Sequence, residues 1–304
     1  MLILILACVI SLAGIAPVTA ESDEISVIPW ENLPEASEDQ HTYLLLCVDQ
    51  WECEPWLLGN TDGIMLVTLD TRAHRVMVTS ITRDSMVLWP DGLPGQINEI
   101  AMSYTPEDLC RTISEHIGIR VEKFILFDFH QIAAIINNLG GMNVNITAEE
   151  AAWLKRYTLG EDAIDRPIAG AGVYHFDGYA SVLYMRIRKV GNHLDYFRTK
   201  RARYVLSQLV DRCRQITLPE AKRLANVVLE NSTITNMNLE TMMDAASQAF
   251  DLRDCTIEEM CIPADKTAKA TIESGQPVQD VDWEANRKLF LDFMEHSVLI
   301  EGSG

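Results

Sequence analysis

Positive charge is scarce in this chain. Its 304 residues carry 25 Lys+Arg against 44 Asp+Glu, a formal charge of −19. A protein that engages nucleic acid over its whole surface needs a basic face to neutralise phosphates, so that class is excluded. Glycine (16) and proline (11) are too few for a collagen-like or proline-rich chain. No C-x-x-C occurs, and the seven His do not combine with Cys at zinc-ligand spacing. Low-complexity tracts and repeats of about 20–50 residues are absent, which excludes a solenoid. Apolar residues reach 48% and charged residues only 23%, so a large core forms and general disorder is excluded.

Residues 1–20 hold no charged side chain and are followed at once by Glu21, Asp23 and Glu24. Val18-Thr19-Ala20 has the small-residue pattern of a signal-peptidase site, and the apolar run is near the minimum for a membrane span. A basic flank is missing. The segment reads as a signal peptide or a membrane anchor, and so as export. Residues 21–41, polar and acidic with Pro29 and Pro34, read as a spacer. After Cys8, six cysteines remain; 47/53 and 255/261 are the nearest pairs for bridges, with buried free thiols the equal alternative.

From residue 43 the chain alternates buried strands with helices. Apolar runs at 43–48, 63–69 and 76–81 read as strands, the last two joined by a hairpin link at 70–75. Thr105-Pro106-Glu107 opens a helix over 106–117 by cap and N1 proline. A strand over 124–129, a helix over 130–139 stopped by Gly140-Gly141 and a strand over 142–146 follow. Thr147 and Glu150 form a capping box. Further helices are predicted at 177–186, 196–215, 219–230, 239–251 and 284–298, with a strand near 257–262. The pattern is α/β: a central mixed β-sheet with helices on both faces, in one domain over 42–300.

The few cations are gathered. Residues 186–203 contain Arg186, Arg188, Lys189, Arg198, Lys200, Arg201 and Arg203 against a single acid, Asp195. Arginine offers a planar fork of donors that matches phosphate oxygens. A solvated basic helix face is the plainer reading of such a run. Asp49 at the end of one buried strand, Asp62 at the start of the next and Arg83 after a third favour a site, because α/β proteins place site residues at strand ends. Two carboxylates so placed can hold Mg2+. His193 lies in the cationic run as a candidate base, and Trp51 and Trp56 lie in the loop after Asp49.

In order, the motifs resemble those of the LytR-CpsA-Psr (LCP) family. They read Cys47-Val48-Asp49, Thr61-Asp62-Gly63, Thr82-Arg83-Asp84, Gln96-Ile97-Asn98 and Leu139-Gly140-Gly141-Met142-Asn143-Val144. Asp177-Gly178-Tyr179-Ala180 then leads to Tyr184-Met185-Arg186-Ile187-Arg188, followed by Asp195-Tyr196-Phe197-Arg198 and Arg201. The resemblance covers 43–205 and implies a single LCP-like domain with an apolar lipid-binding channel. It implies a phosphotransferase that attaches a polyprenyl-pyrophosphate-linked glycopolymer, such as teichoic acid or capsule, to peptidoglycan outside the membrane. Asp49 and Asp62 would hold Mg2+. Arg83, Arg186, Arg188 and Arg198 would clamp the pyrophosphate with support from Arg201, and Asp195 would orient them or assist proton removal. Cys47, Asn60, Thr82, Gln96, Phe197 and Ala202 depart from the family pattern; without cations at 60 and 96 the clamp is weaker or prefers a less charged donor. A non-catalytic binder of polyprenyl pyrophosphate in wall assembly is the second reading, and an exported domain with an incidental basic face the third.

Overall fold

A computed structural model describes residues 25–295 except 36, 49, 51–57, 158–162, 188–200, 202–203, 206–207, 209–211, 213, 232–233, 256 and 274; the side chains of 230, 231 and 273 are also outside the description. The first half holds β1 (Gln40–Val48), β2 (Thr61–Asp70), β3 (Arg75–Ile81), β4 (Met86–Leu88), β5 (Pro94–Gln96), α1 (Ile100–Ser103) and α2 (Pro106–Ile117). Next come β6 (Lys123–Phe127), α3 (Phe129–Asn138), β7 (Met142–Ile146), α4 (Ala148–Leu154), β8 (Gly172–Phe176) and α5 (Gly178–Met185). The chain continues through α6 (Leu218–Asn231), α7 (Leu239–Asp251), β9 (Ile257–Ile262), β10 (Ala268–Glu273), β11 (Gln276–Val281) and α8 (Trp283–Glu295).

Five strands form the central sheet in the order β6-β1-β2-β3-β9. β2 is antiparallel to β1 and β3, while β1–β6 and β3–β9 are parallel. Thus β1, β3, β6 and β9 all end at the edge where β2 begins. Alternating side chains serve two cores. Leu45, Met65, Val67, Val78, Ile125 and Phe127 face one cluster with Ile135, Val182, Leu224 and Met242. Leu44, Leu46, Leu66, Met77, Phe124 and Leu126 face the other with Leu109, Ile113, Trp283 and Phe290. Helices therefore cover both faces, as the alternation of elements requires.

Local signals set most boundaries. Thr105 caps α2 by accepting the Asp108 N–H, with Pro106 at the first turn and Gly118 (φ 88°) ending it. Asp128 with Gln131 and Thr147 with Glu150 form reciprocal capping boxes on α3 and α4. At the edge opposite the strand ends, Arg75 joins Asp70 (3.3 Å) and Glu258 (3.4 Å) and donates to the terminal carbonyls of α8 at Phe293 and Met294. A cation there complements the negative end of the helix dipole.

Three features differ from the sequence expectations. The hairpins β4–β5 and β10–β11 and strand β8 were not anticipated, because short strands lack a long apolar run. Cys255 and Cys261 are free rather than bridged. Strand residues 257–260 lie between them and hold them apart, and the Cys255 thiol donates to the His74 carbonyl instead (2.9 Å). The stretch read as a spacer is seated on the domain over 25–35. The Ile28 N–H donates to the Glu115 carbonyl (2.8 Å), Leu33 is buried, and Arg120 lies over Trp30 while pairing with Glu35. Cys53, the partner expected for Cys47, lies outside the described residues. Among the described residues no helix is long and apolar enough to cross a membrane.

Candidate active site at the strand-end edge

The β2–β3 hairpin explains the first pair. Its register runs from Asp70↔Arg75 to Ile64↔Ile81. Continued two residues past that last pair, the same register sets Asp62 opposite Arg83. On its other side, β2 carries a bulge: Cys47 pairs with Gly63 and Val48 with Thr61, so Asp62 has no partner on β1. A bulge releases its extra residue from the ladder and re-aims the side chain. The result is an ion pair, with Arg83 Nη1 2.8 Å from Asp62 Oδ2, and side-chain exposures of 45% and 25%.

The turn bearing Arg83 is built by its neighbours. The Thr82 N–H donates to the Ile262 carbonyl (2.9 Å), and its hydroxyl bonds that of Ser85 (2.7 Å). A proline at 82 could not make the first bond, so the threonine found there has a physical use. Asn98 N–H donates to the Arg83 carbonyl (3.3 Å), and Thr61 Oγ1 donates to the Asn98 carbonyl (3.1 Å). Thr61 and Asn98 therefore fix the backbone on which Asp62 and Arg83 stand. Neither was chosen as a site residue from sequence, since a buried Thr or Asn carries no charge signal.

Arg186 reaches the same edge from another layer. It caps the end of α5, and its guanidinium carbon lies 4.7 Å from the Phe129 ring centroid, a cation–π contact. Phe129 opens α3 directly after β6, and its N–H donates to the Gln50 carbonyl in the loop after β1 (2.9 Å). At the start of α5, Asp177 caps the Ala180 N–H. Burial raises the Asp177 carboxyl above its usual range, opposed by the N–H groups of Ala180 and Tyr179.

Arg201, which the family resemblance gives as a support to the other arginines, is placed inside the protein. Its guanidinium is buried, 3.0 Å from Glu150 Oε1 and 2.5 Å from the Ile187 carbonyl. It ties α4 to the turn that follows Arg186 and so supports that segment. Burial, first, and the Glu150 charge push the neighbouring Tyr184 phenol upward, while Arg201 opposes them. Asp49, Arg188, Asp195, Arg198 and His193 lie outside the described residues, as do Trp51 and Trp56. Among the described residues no three His, Cys, Asp or Glu side chains gather as a metal cage. Asp62 supplies a hard oxygen donor of the kind Mg2+ takes, with its Oδ2 engaged by Arg83 and its Oδ1 the atom left for a metal.

Known proteins share this arrangement of elements. The polyisoprenyl-teichoic acid–peptidoglycan teichoic acid transferase TagV of Bacillus subtilis is 24% identical over 177 residues, 57% of this chain and 44% of that protein. The biofilm regulatory protein A of Streptococcus mutans is 22% identical over 222 residues, covering 66% of this chain and 53% of that protein. The chain thus spans about half the length of these two curated relatives. The crystal structure of B. subtilis TagV superposes with a TM-score of 0.60 at 20% identity, over 86% of this chain and all of that one (100%). A structure of TagT bound to LI-WTA superposes with a TM-score of 0.61 at 18% identity, over 88% and 98%. The model of the LytR_cpsA_psr family matches residues 17–290. A match of that length, over a mixed sheet with Asp62 and Arg83 paired at its strand ends, means that the chain belongs to the LytR_cpsA_psr family.

Proposed function

We propose that this chain is a phosphotransferase that attaches a polyprenyl-pyrophosphate-linked glycopolymer, teichoic acid or capsule-like, to peptidoglycan outside the membrane. The observation that carries the reading is the opposed Asp62–Arg83 pair at the strand-end edge that Arg186 reaches. Arginines on separate elements suit the oxygens of a pyrophosphate, which no single helix face would bracket. The transferase name of the relative TagV supports the same activity. Residues 42–300 form the transferase domain, and residues 1–20 deliver it to the cell surface as anchor or signal.

In this reading Arg83 and Arg186 bind the pyrophosphate with Arg188 and Arg198, while Arg201 holds the turn beneath Arg186. The prenyl chain lies in the apolar layer behind Phe129. An acceptor hydroxyl oxygen attacks the phosphorus next to the glycan. The bond from that phosphorus to the bridging oxygen breaks, polyprenyl phosphate leaves, and the hydroxyl proton passes to a carboxylate, Asp195 by position. Positioning and charge neutralisation supply most of the catalysis in such transfers. Asp49 and Asp62 would hold Mg2+, which neutralises phosphate charge when bound.

The test is transfer of polymer from a defined polyprenyl-pyrophosphate glycan to peptidoglycan. Arg83→Ala and Arg186→Ala should each reduce the rate by about 100-fold or more, the scale of losing one charge-stabilising donor. Unchanged transfer in both variants overturns the reading. The absence of a cation at Gln96 and Asn60 favours, as second reading, a binder of polyprenyl pyrophosphate without activity. Donor binding with no polyprenyl phosphate released by the unaltered chain would select it.

A further inference from the structure

The β10–β11 hairpin is attached directly to the loop of Arg83. The Gln279 N–H donates to the Asp84 carbonyl (2.9 Å), and Ser85 forms a parallel bridge with Gln279. One residue further, Asp280 lines a cavity of about 350 Å3 between the hairpin, the loop after β9 and the start of α8. Lys266, Lys269 and Glu284 line it as well. The candidate phosphate site and this cavity are therefore neighbours along one strand.

The charges in the cavity are held apart. Lys269 and Asp280 are direct cross-strand partners, the placement in which opposite charges normally pair. Both are half-buried, yet among the described residues neither they nor Lys266 form an ion pair. Lys266 and Glu284 are exposed at the rim of the cavity. The partly desolvated charges are therefore Lys269 and Asp280, of opposite sign and without mutual contact, an arrangement that suits a ligand carrying both signs itself. The base of the cavity is rigid. Buried Asn286 accepts the Ala264 N–H (2.9 Å) and donates to the Asp282 carbonyl (2.7 Å) and to Thr267 Oγ1 (2.8 Å). That clamp fixes the 264–267 loop against α8, with Lys266 in a left-handed conformation (φ 65°). Asp282 is committed to capping the Ala285 N–H, which leaves Asp280 and Glu284 as the acidic pole.

We infer that this cavity binds the ammonium and carboxylate groups of a zwitterionic peptide, Asp280 and Glu284 receiving the ammonium and Lys266 and Lys269 the carboxylate. Lying beside the Arg83 loop, it holds the peptide of the peptidoglycan acceptor while a glycan hydroxyl meets the donor. Only the identity of the peptide's source rests on the transferase reading.

The experiment is a calorimetric titration of the full chain, without donor, with a peptidoglycan disaccharide–tetrapeptide bearing a free side-chain amine. The same compound with that amine acetylated and the peptide-free disaccharide are titrated alongside. The free-amine compound should bind at least about tenfold more tightly than the other two, and Lys269→Gln and Glu284→Gln should each cost about tenfold, the scale of one charge-assisted hydrogen bond. Arg83→Ala should leave this binding unchanged while reducing transfer by about 100-fold or more. Equal binding of the peptide-free disaccharide, or unaltered binding by both variants, overturns the inference. A chain that binds the peptide but transfers nothing overturns the transferase reading alone.

Discussion

At the scale of single residues, two arginines with similar sequence signals have opposite environments. Arg83 is about half exposed beside Asp62, whereas Arg201 is sealed between Glu150 and the Ile187 carbonyl. Truncating a buried pair costs far more than truncating an exposed one, because the surviving charge is left without solvent or partner. Arg201→Met should therefore lower unfolding free energy by about 3–5 kcal/mol, measured by urea denaturation. Glu150 also accepts the Thr147 N–H as part of its capping box (2.9 Å), so Glu150→Gln, which keeps the cap, should cost less. A loss below about 1 kcal/mol for Arg201→Met would mean that the pair does not hold α4 to the turn after Arg186.

At the scale of elements, the packing of α3 against α5 rests on one glycine. A Cβ added to Gly178 would lie 1.9 Å from the Ala133 carbonyl oxygen, and the Gly178 N–H already donates to Asn137 Oδ1 (2.7 Å). Gly178 thus lets the start of α5 touch the backbone of α3, and the far ends of these two helices present Arg186 and Phe129 to each other. Gly178→Ala must push the helices apart, at a cost of about 2 kcal/mol or more. Thermal unfolding should report the lost stability, and transfer activity should fall with it as Arg186 moves off Phe129. An alanine variant of unchanged melting temperature would show that the helices have room to separate without cost. The Asp177-Gly178 dipeptide was visible in sequence, but the steric demand on it comes from a residue 45 positions away.

For the whole molecule, His116 records how three elements meet. Its Nδ1 is 2.7 Å from the Thr112 carbonyl, its Nε2 accepts the Leu88 N–H (3.2 Å), and its ring packs edge-on against Trp283 at 4.7 Å. The side chain is fully buried, and burial foremost, with the Arg287 charge adding to it, pushes the imidazole down to about 4. The neutral form is the one that fits, since a second ring proton would collide with the Leu88 donor. An unfolded chain takes up that proton near pH 6.5, the folded chain only near pH 4. Stability from this group is therefore complete above about pH 6.5 and falls as the pH drops toward 4, by about 3 kcal/mol in total. Unfolding measured across that window should lose this slope in His116→Gln, whose amide can keep both hydrogen bonds. A slope unaltered by the substitution would assign the acid sensitivity to other groups.

Local chemistry in the sequence determined a large part of this protein. Thr105-Pro106, Asp128-Gln131 and Thr147-Glu150 mark helix starts because capping is settled within four residues. The two strands and the hairpin link at 70–75 were legible, but the register that sets Asp62 opposite Arg83 comes from the folded hairpin. The concentration of cations in 186–203 likewise stood out in a chain of net charge −19. What sequence leaves open depends on contacts between distant segments. Arg186 stacking on Phe129, Arg201 buried against Glu150 and Gln279 tied to Asp84 join residues 51 to 195 positions apart. No periodicity or cap encodes such pairs, because each depends on how two independently formed elements pack. Tertiary structure alone decided that Arg201 is buried against Glu150, that Asp62 stands on a bulge, and that a cavity of mixed charge lies beside the Arg83 loop.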